Sequence, residues 1–310
     1  MSLFASRLRT FAARYPELCA VLIATGIGLS VQSPLAWVDA HEGVNVLLAV
    51  LVFSTAITVE PSALVRVIAV WRRLLLALVS GITVLPALSW LASRVVASTT
   101  LREGVLTVGL APCEIASVAT TSMADGDAAL SAGVLIGSTV GAVVVAGPIL
   151  GVEAGAVSLS PGPIIENLLF VVALPLAVGL GIRAITPIGD RGERAAGWVA
   201  TLAVAGLVGL IAAEVHISSG YFGVLGALGI FLAGSMLLGL VVGRGSQRPI
   251  AVSLLLTTSM RDFAIAAGIA TTAFGPAAAA PLGVYGILVL VWGTAGAGTF
   301  RRASPRRSAE

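Results

Sequence analysis

Three ionisable side chains stand inside apolar runs of this chain. Glu114 lies in Val108-Gly109-Leu110-Ala111-Pro112-Cys113-Glu114-Ile115-Ala116-Ser117, and Arg261 and Asp262 are neighbours in Leu256-Thr257-Thr258-Ser259-Met260-Arg261-Asp262-Phe263. A charge at the centre of a bilayer costs at least about 2.5 kcal/mol and is usually kept for function. Arg261 is permanently charged, so it can hold an anion, stand in for a bound cation, or pair with Glu114 as a structural partner. Glu114 and Asp262 can pair with it or carry a proton. Cys113 offers a soft thiol ligand, against which stands the ordinary use of a free cysteine as a small buried packing residue. Thr258 precedes Arg261 by three residues. The hydroxyls of Ser117, Ser131 and Thr257 offer oxygen ligands to a cation, although hydroxyls in membrane helices often bond their own helix.

The elements that must position these groups are membrane helices. Of 310 residues, 57% are hydrophobic and 11% charged, with mean hydropathy +1.03; a soluble domain carries about 25% charged residues. A helix needs about 20 apolar residues to cross a bilayer. On that measure roughly ten spans fit: 17–36, 43–60, 73–97, 101–124, 128–152, 163–185, 195–217, 221–242, 248–274 and 277–300. The chain thus reads as one all-α polytopic domain over 1–310, with arginine-bearing surface segments at 61–72 and 243–248 and a basic tail at 301–310 suited to anionic lipid, not nucleic acid.

All 18 basic residues are arginine. With the N-terminus in the cytoplasm, fifteen fall on the inner side, Arg7, Arg9, Arg14, Arg66, Arg306 and Arg307 among them. Arg94 and Arg102 fall outside, and Arg261 lies within a span. That bias orients the chain with both termini cytoplasmic, as in a plasma membrane of the bacterial inner type. His41 falls in an outer segment and His216 at the outer end of the span 195–217, each near acidic residues. Cys19 and Cys113 have no metal-ligand spacing, and no resident cofactor is expected.

Ten spans divide into two sets of five, about 17–152 and 163–300. Five is odd, so the second set enters the membrane from the opposite side, the inverted repeat of many secondary transporters. Fourteen residues separate Pro112 from Gly126 in the turn Asp125-Gly126-Asp127, and fifteen separate Met260 from Gly275 in Phe274-Gly275-Pro276. The fourth and ninth spans are therefore expected to be broken at matching points. Freed backbone groups cannot face lipid, so the breaks should meet around a polar chamber, with half-helix N–H groups turned into it.

Gly109 to Ser117, followed by Ala124-Asp125-Gly126-Asp127-Ala128-Ala129-Leu130-Ser131, resembles the fourth and fifth spans of the bile acid:sodium symporter family. Ser259-Met260-Arg261-Asp262-Phe263-Ala264-Ile265-Ala266, with Phe274-Gly275-Pro276, resembles its ninth span, and Val52 to Val59 its second. The resemblance implies ten helices in two inverted five-helix repeats, forming a panel domain and a core domain, with the fourth and ninth helices crossing in the core. It also implies sodium sites: Ser117 and Ser131 match two of their hydroxyl-bearing positions, and Thr257 stands at a third position with a different residue. Val118, Leu135, Thr257 and Arg261 stand where the family carries asparagine, threonine, glutamate and glutamine. The charge of Arg261 opposes a cation beside it, which leaves a proton as the other coupling ion. Ala111-Pro112-Cys113 and Phe263-Ala264-Ile265-Ala266 are similar also to arsenite-efflux permeases of the same superfamily.

The expected activity is alternating-access transport of a small organic anion, with Glu114, Arg261, Asp262, Cys113 and Thr258 binding or coupling. The second reading is metalloid efflux with Cys113 as ligand. A distant third is an intramembrane hydrolase, which would need a nucleophile with a base in reach; His41 lies outside the spans and His216 at the outer end of 195–217.

Overall fold

The structure is a computed structural model and describes residues 16–31, 34–35, 38, 42–59, 67–153, 161–213 and 220–302. Arg7, Arg9, Arg14, Arg66, Arg306, Arg307, His41, His216 and the tail beyond Arg302 lie outside the described residues. Those described are helical, with no strand among them beyond one isolated bridge.

In chain order the helices are α1 (Pro16–Ser30), α2 (Gly43–Ala56), α3 (Trp71–Ser93), α4 (Thr99–Leu110), α5 (Ala116–Met123), α6 (Ala128–Glu153), α7 (Pro161–Leu168), α8 (Leu174–Ile185), α9 (Asp190–Ala213), α10 (Gly220–Gly243), α11 (Arg248–Ser259), α12 (Phe263–Phe274) and α13 (Ala280–Arg302). A π-turn over Leu169–Ala173 joins α7 to α8. Pro175 follows it, and a proline lacks the N–H that would close the α-helical bond there. A 3-10 turn over Pro276–Ala279 leads into α13.

Six helices are long and apolar enough to cross a membrane: Ile68–Ser93, Ala128–Val152, Gly162–Ile185, Asp190–Ala213, Gly220–Gly243 and Pro276–Phe300. Large apolar side chains cover their outer faces; Phe222 is 80% exposed and Trp198 63%. Such a surface suits lipid, not water, and the protein is a multi-helix membrane protein.

The helix bounds depart from the expected spans at several places, α3 ending at Ser93 rather than at 97 among them. α1 ends at Ser30 rather than at 36, α2 at Ala56 rather than at 60, and α9 begins at Asp190 rather than at 195. The early start of α9 has a local cause. Asp190 and Glu193 occupy its first turn, where negative charge complements the free N–H groups of a helix start. The pair Arg183–Glu193 then ties the end of α8 to α9.

Packing separates the helices into two groups. α9 packs against α1 and α2, and α8 against α2; α3 packs against α4, α6 and α10, α10 against α11, and α12 against α4 and α13. The first eight residues of α12, Phe263 to Ala270, are all buried, as a helix apolar on every side must be. It is the axis on which the site is built.

Candidate functional site

Two helices stop in the middle of the protein after twelve residues each, α4 at Leu110 and α11 at Ser259. Twelve residues span about 18 Å, roughly half a bilayer. In the first, Ala111 is extended at φ −65° and ψ 151°, because the ring of Pro112 disfavours helical geometry in the residue before it. In the second no proline acts. Met260 is extended at φ −95° and ψ 106°, and Asp262 caps the new helix: its Oδ1 accepts from Ile265 N at 2.8 Å.

The two extended stretches run antiparallel and pair Cys113 with Arg261 as one β-bridge. Glu114 N donates to Met260 O at 2.8 Å, and Asp262 N donates to Pro112 O at 2.9 Å. Each broken helix thus satisfies backbone groups that breaking the other sets free. Cys113 N is taken by Ser138 Oγ of α6 at 3.0 Å. Arg261 N donates to Tyr285 Oη of α13 at 3.3 Å.

The bridge decides where the charged side chains go. In an antiparallel pair, facing residues share a side and successive residues alternate. Cys113 and Arg261 therefore point one way, and Glu114 and Asp262 the other. Glu114, Arg261 and Asp262 are all buried, yet Glu114 and Arg261 do not form an ion pair; the ion pair present among the described residues is Arg183 with Glu193. The structural pair weighed from the sequence is absent because the segment is extended and not helical. Arg261 instead donates through Nη2 to Ala111 O, with Nη1 towards Gly81.

The half-helix N–H groups that the sequence reading assigned to a bound anion are occupied by the protein's own acids. The Glu114 carboxyl lies against the N–H groups of Ala116, Phe263 and Ile115, at the starts of both α5 and α12. The Asp262 carboxyl lies against Ile265 and Ala264. Glu114 Oε2, Asp262 Oδ2 and Arg261 Nε are buried without a hydrogen-bond partner.

On the Glu114 side lies a cavity of ≈ 430 Å³, in the usual range for small-molecule sites. Glu114 and Phe263 line it; α2 contributes Ser54 and Thr55, the turn after α2 contributes Thr58, α6 contributes Ala129 and Ala132, and α9 contributes Ala200 and Thr201. On the Arg261 side is a space of ≈ 10 Å³ bounded by Gly81, Pro86 and Ser138, barely room for one water. Arg261, Asp262, Cys113 and Thr258 do not line the large cavity. Thr258 is buried in the last turn of α11.

The hydroxyls proposed for a cation are all buried and all engaged. Ser117 Oγ is 3.0 Å from Cys113 Sγ, Ser131 Oγ donates to Thr121 Oγ1 at 2.9 Å, and Thr257 Oγ1 donates to Ser253 O at 2.7 Å. A hydroxyl that donates keeps lone pairs that can face a cation. Sequence reasoning did not single out Ser138, Tyr285 or the hydroxyl face of α2 and α9. Ser138 and Tyr285 acquire their roles through contacts 25 and 24 residues away, for which the chain carries no local signal.

The model of the Sodium Bile acid symporter family matches residues 45–223 of the chain. A comparison with curated proteins returns no match.

Proposed function

This chain belongs to the Sodium Bile acid symporter family, and on that premise we propose that it is a secondary active transporter, not an enzyme, working by alternating access in a plasma membrane of the bacterial inner type. The observation that carries this reading is the cavity between α2 and α9 on one side and the α4–α5/α11–α12 crossing on the other, with Glu114 on its wall.

Ten passes make up the transporter: α1, α2, α3, α4–α5, α6, then α7–α8, α9, α10, α11–α12 and α13. They form two inverted five-helix repeats. Equal twelve-residue half-helices in the fourth and ninth passes support that relation, as does their antiparallel pairing. α1, α2, α7–α8 and α9 form the panel and the others the core. The cavity reaches the C-terminal end of α2, the first turn of α6 and the second turn of α9. The arginine distribution puts those ends in the cytoplasm, so this conformation is inward-facing. Rocking the panel against the core closes the cavity inside and opens it outside.

The substrate is a small organic solute. An anion, expected from Arg261, would meet no cationic side chain on the described walls. Two coupling routes are open to these residues. Sodium would use the lone pairs of Ser117, Ser131 and Thr257, with Leu135 and Arg261 adding no ligand oxygen. A proton would use Glu114 or Asp262, the buried acids at the crossing. Metalloid efflux would need Cys113 exposed to the solute, whereas its thiol faces Ser117.

The test is uptake by purified protein in proteoliposomes, using a labelled bile salt and a set of labelled organic acids and amines under an imposed sodium gradient or an imposed pH gradient. Accumulation of at least one solute, driven by one gradient and lost in Glu114→Gln, is expected. No accumulation of any of them under either gradient contradicts the reading.

A further inference from the structure

Among the described residues, Glu114 is the sole ionisable side chain on the walls of the large cavity. It is 3% exposed, and its Oε2 has no hydrogen-bond partner. Of the hydroxyl-bearing walls, Thr55 Oγ1 donates to Leu51 O at 2.9 Å, Thr58 Oγ1 to Thr55 O at 2.7 Å, and Thr201 Oγ1 to Gly197 O at 3.0 Å; Ser54 is the remaining uncharged polar wall. Arg261 is on the far side of the β-bridge, bonded to Ala111 O. The remaining walls are apolar, Phe263, Leu290, Val204 and Leu51 among them.

These walls discriminate by charge. An anion placed here would lose its hydration and face a carboxylate. A neutral apolar solute would leave Oε2 dry and unpaired, which is costly for a buried acceptor. An ammonium group brings both the opposite charge and N–H donors to Oε2, and charge-assisted bonds are the stronger kind. We propose that the cavity takes an amphipathic organic cation, with its ammonium head on Glu114 and its apolar body against Phe263, Leu290 and Val204. This deepens the transporter reading by naming a solute class, and rests on that reading only for the claim that the cation is moved.

Three probes share one body and differ in charge: 4-phenylbutylamine, 4-phenylbutanol and 4-phenylbutyrate. Saturable binding to the full chain in detergent is measured by ligand-induced thermal stabilisation. The amine is expected to bind about tenfold tighter than the alcohol, the size of effect a charge-assisted bond supplies, and the butyrate weakest. In Glu114→Gln the amine loses its advantage over the alcohol, and saturable binding of the alcohol shows an intact cavity. Glu114→Asp, which keeps the charge on a shorter arm, retains a reduced preference for the amine and serves if the glutamine variant does not fold. Butyrate binding tighter than amine, amine and alcohol binding alike, or an undiminished amine advantage in Glu114→Gln would each overturn the proposal. Uptake of labelled amine into proteoliposomes separates the two claims. Charge-selective binding without uptake sustains the cation site and removes the transporter, whereas gradient-driven uptake of a bile salt without amine binding does the reverse.

Discussion

Asp262 puts one carboxylate oxygen on the α12 N-terminus and leaves the other dry and unpartnered. The cap and the charge can be separated by substitution. Asparagine keeps an acceptor at Oδ1 and removes the charge; alanine removes both. Asp262→Ala is expected to lower unfolding stability by about 1 kcal/mol more than Asp262→Asn, the usual worth of an N-cap. Thermal unfolding of the two variants in one detergent checks it, and equal losses would mean that the cap contributes nothing. Cys113 yields a second prediction at this scale. Its thiol faces Ser117 and lines none of the cavity, so Cys113→Ser should retain gradient-driven uptake. Loss of uptake with normal folding would return the thiol to the substrate path.

At the scale of elements, the crossing needs α4 close to α3. Ser89 of α3 donates to Leu106 O at 3.0 Å, and a Cβ at Gly109 would collide with Leu85 O and Ser89 Oγ. Gly109→Ala should therefore destabilise the fold by about 1–3 kcal/mol, the cost of overpacking. Gly181→Ala, with open space around it, should be neutral or stabilising by up to about 1 kcal/mol on helix propensity. Melting temperatures of the pair decide it; similar values would show that α3 and α4 can separate freely. The same elements show what could be read in the chain. The α4 break was legible because Pro112 acts on its immediate neighbour. The second break was legible from Arg261 and Asp262, charges that a continuous buried helix would not carry. The sides to which those charges turn were not legible. They follow from a pairing between Cys113 and Arg261, far apart in the chain, and that pairing sends Glu114 to the cavity and Arg261 away from it. The start of α9 was missed by five residues because polar Asp190 and Glu193 read as a connecting segment, whereas their charge favours a helix N-terminus.

At the scale of the whole molecule, the cavity lies between α2 and α9 on one side and α5, α6 and α12 on the other. Large apolar side chains such as Phe222 and Trp198 cover the outside, which favours a solute path along the boundary between these two sets of helices. Thr201 of α9 stands on that boundary. The most direct test is labelling of Thr201→Cys, with Cys19 changed to serine and buried Cys113 retained, by a membrane-impermeant thiol reagent added to one face of sealed vesicles or the other. The account predicts reaction from both faces, because the cavity opens to each in turn. Reaction from one face alone, or from neither, would contradict it.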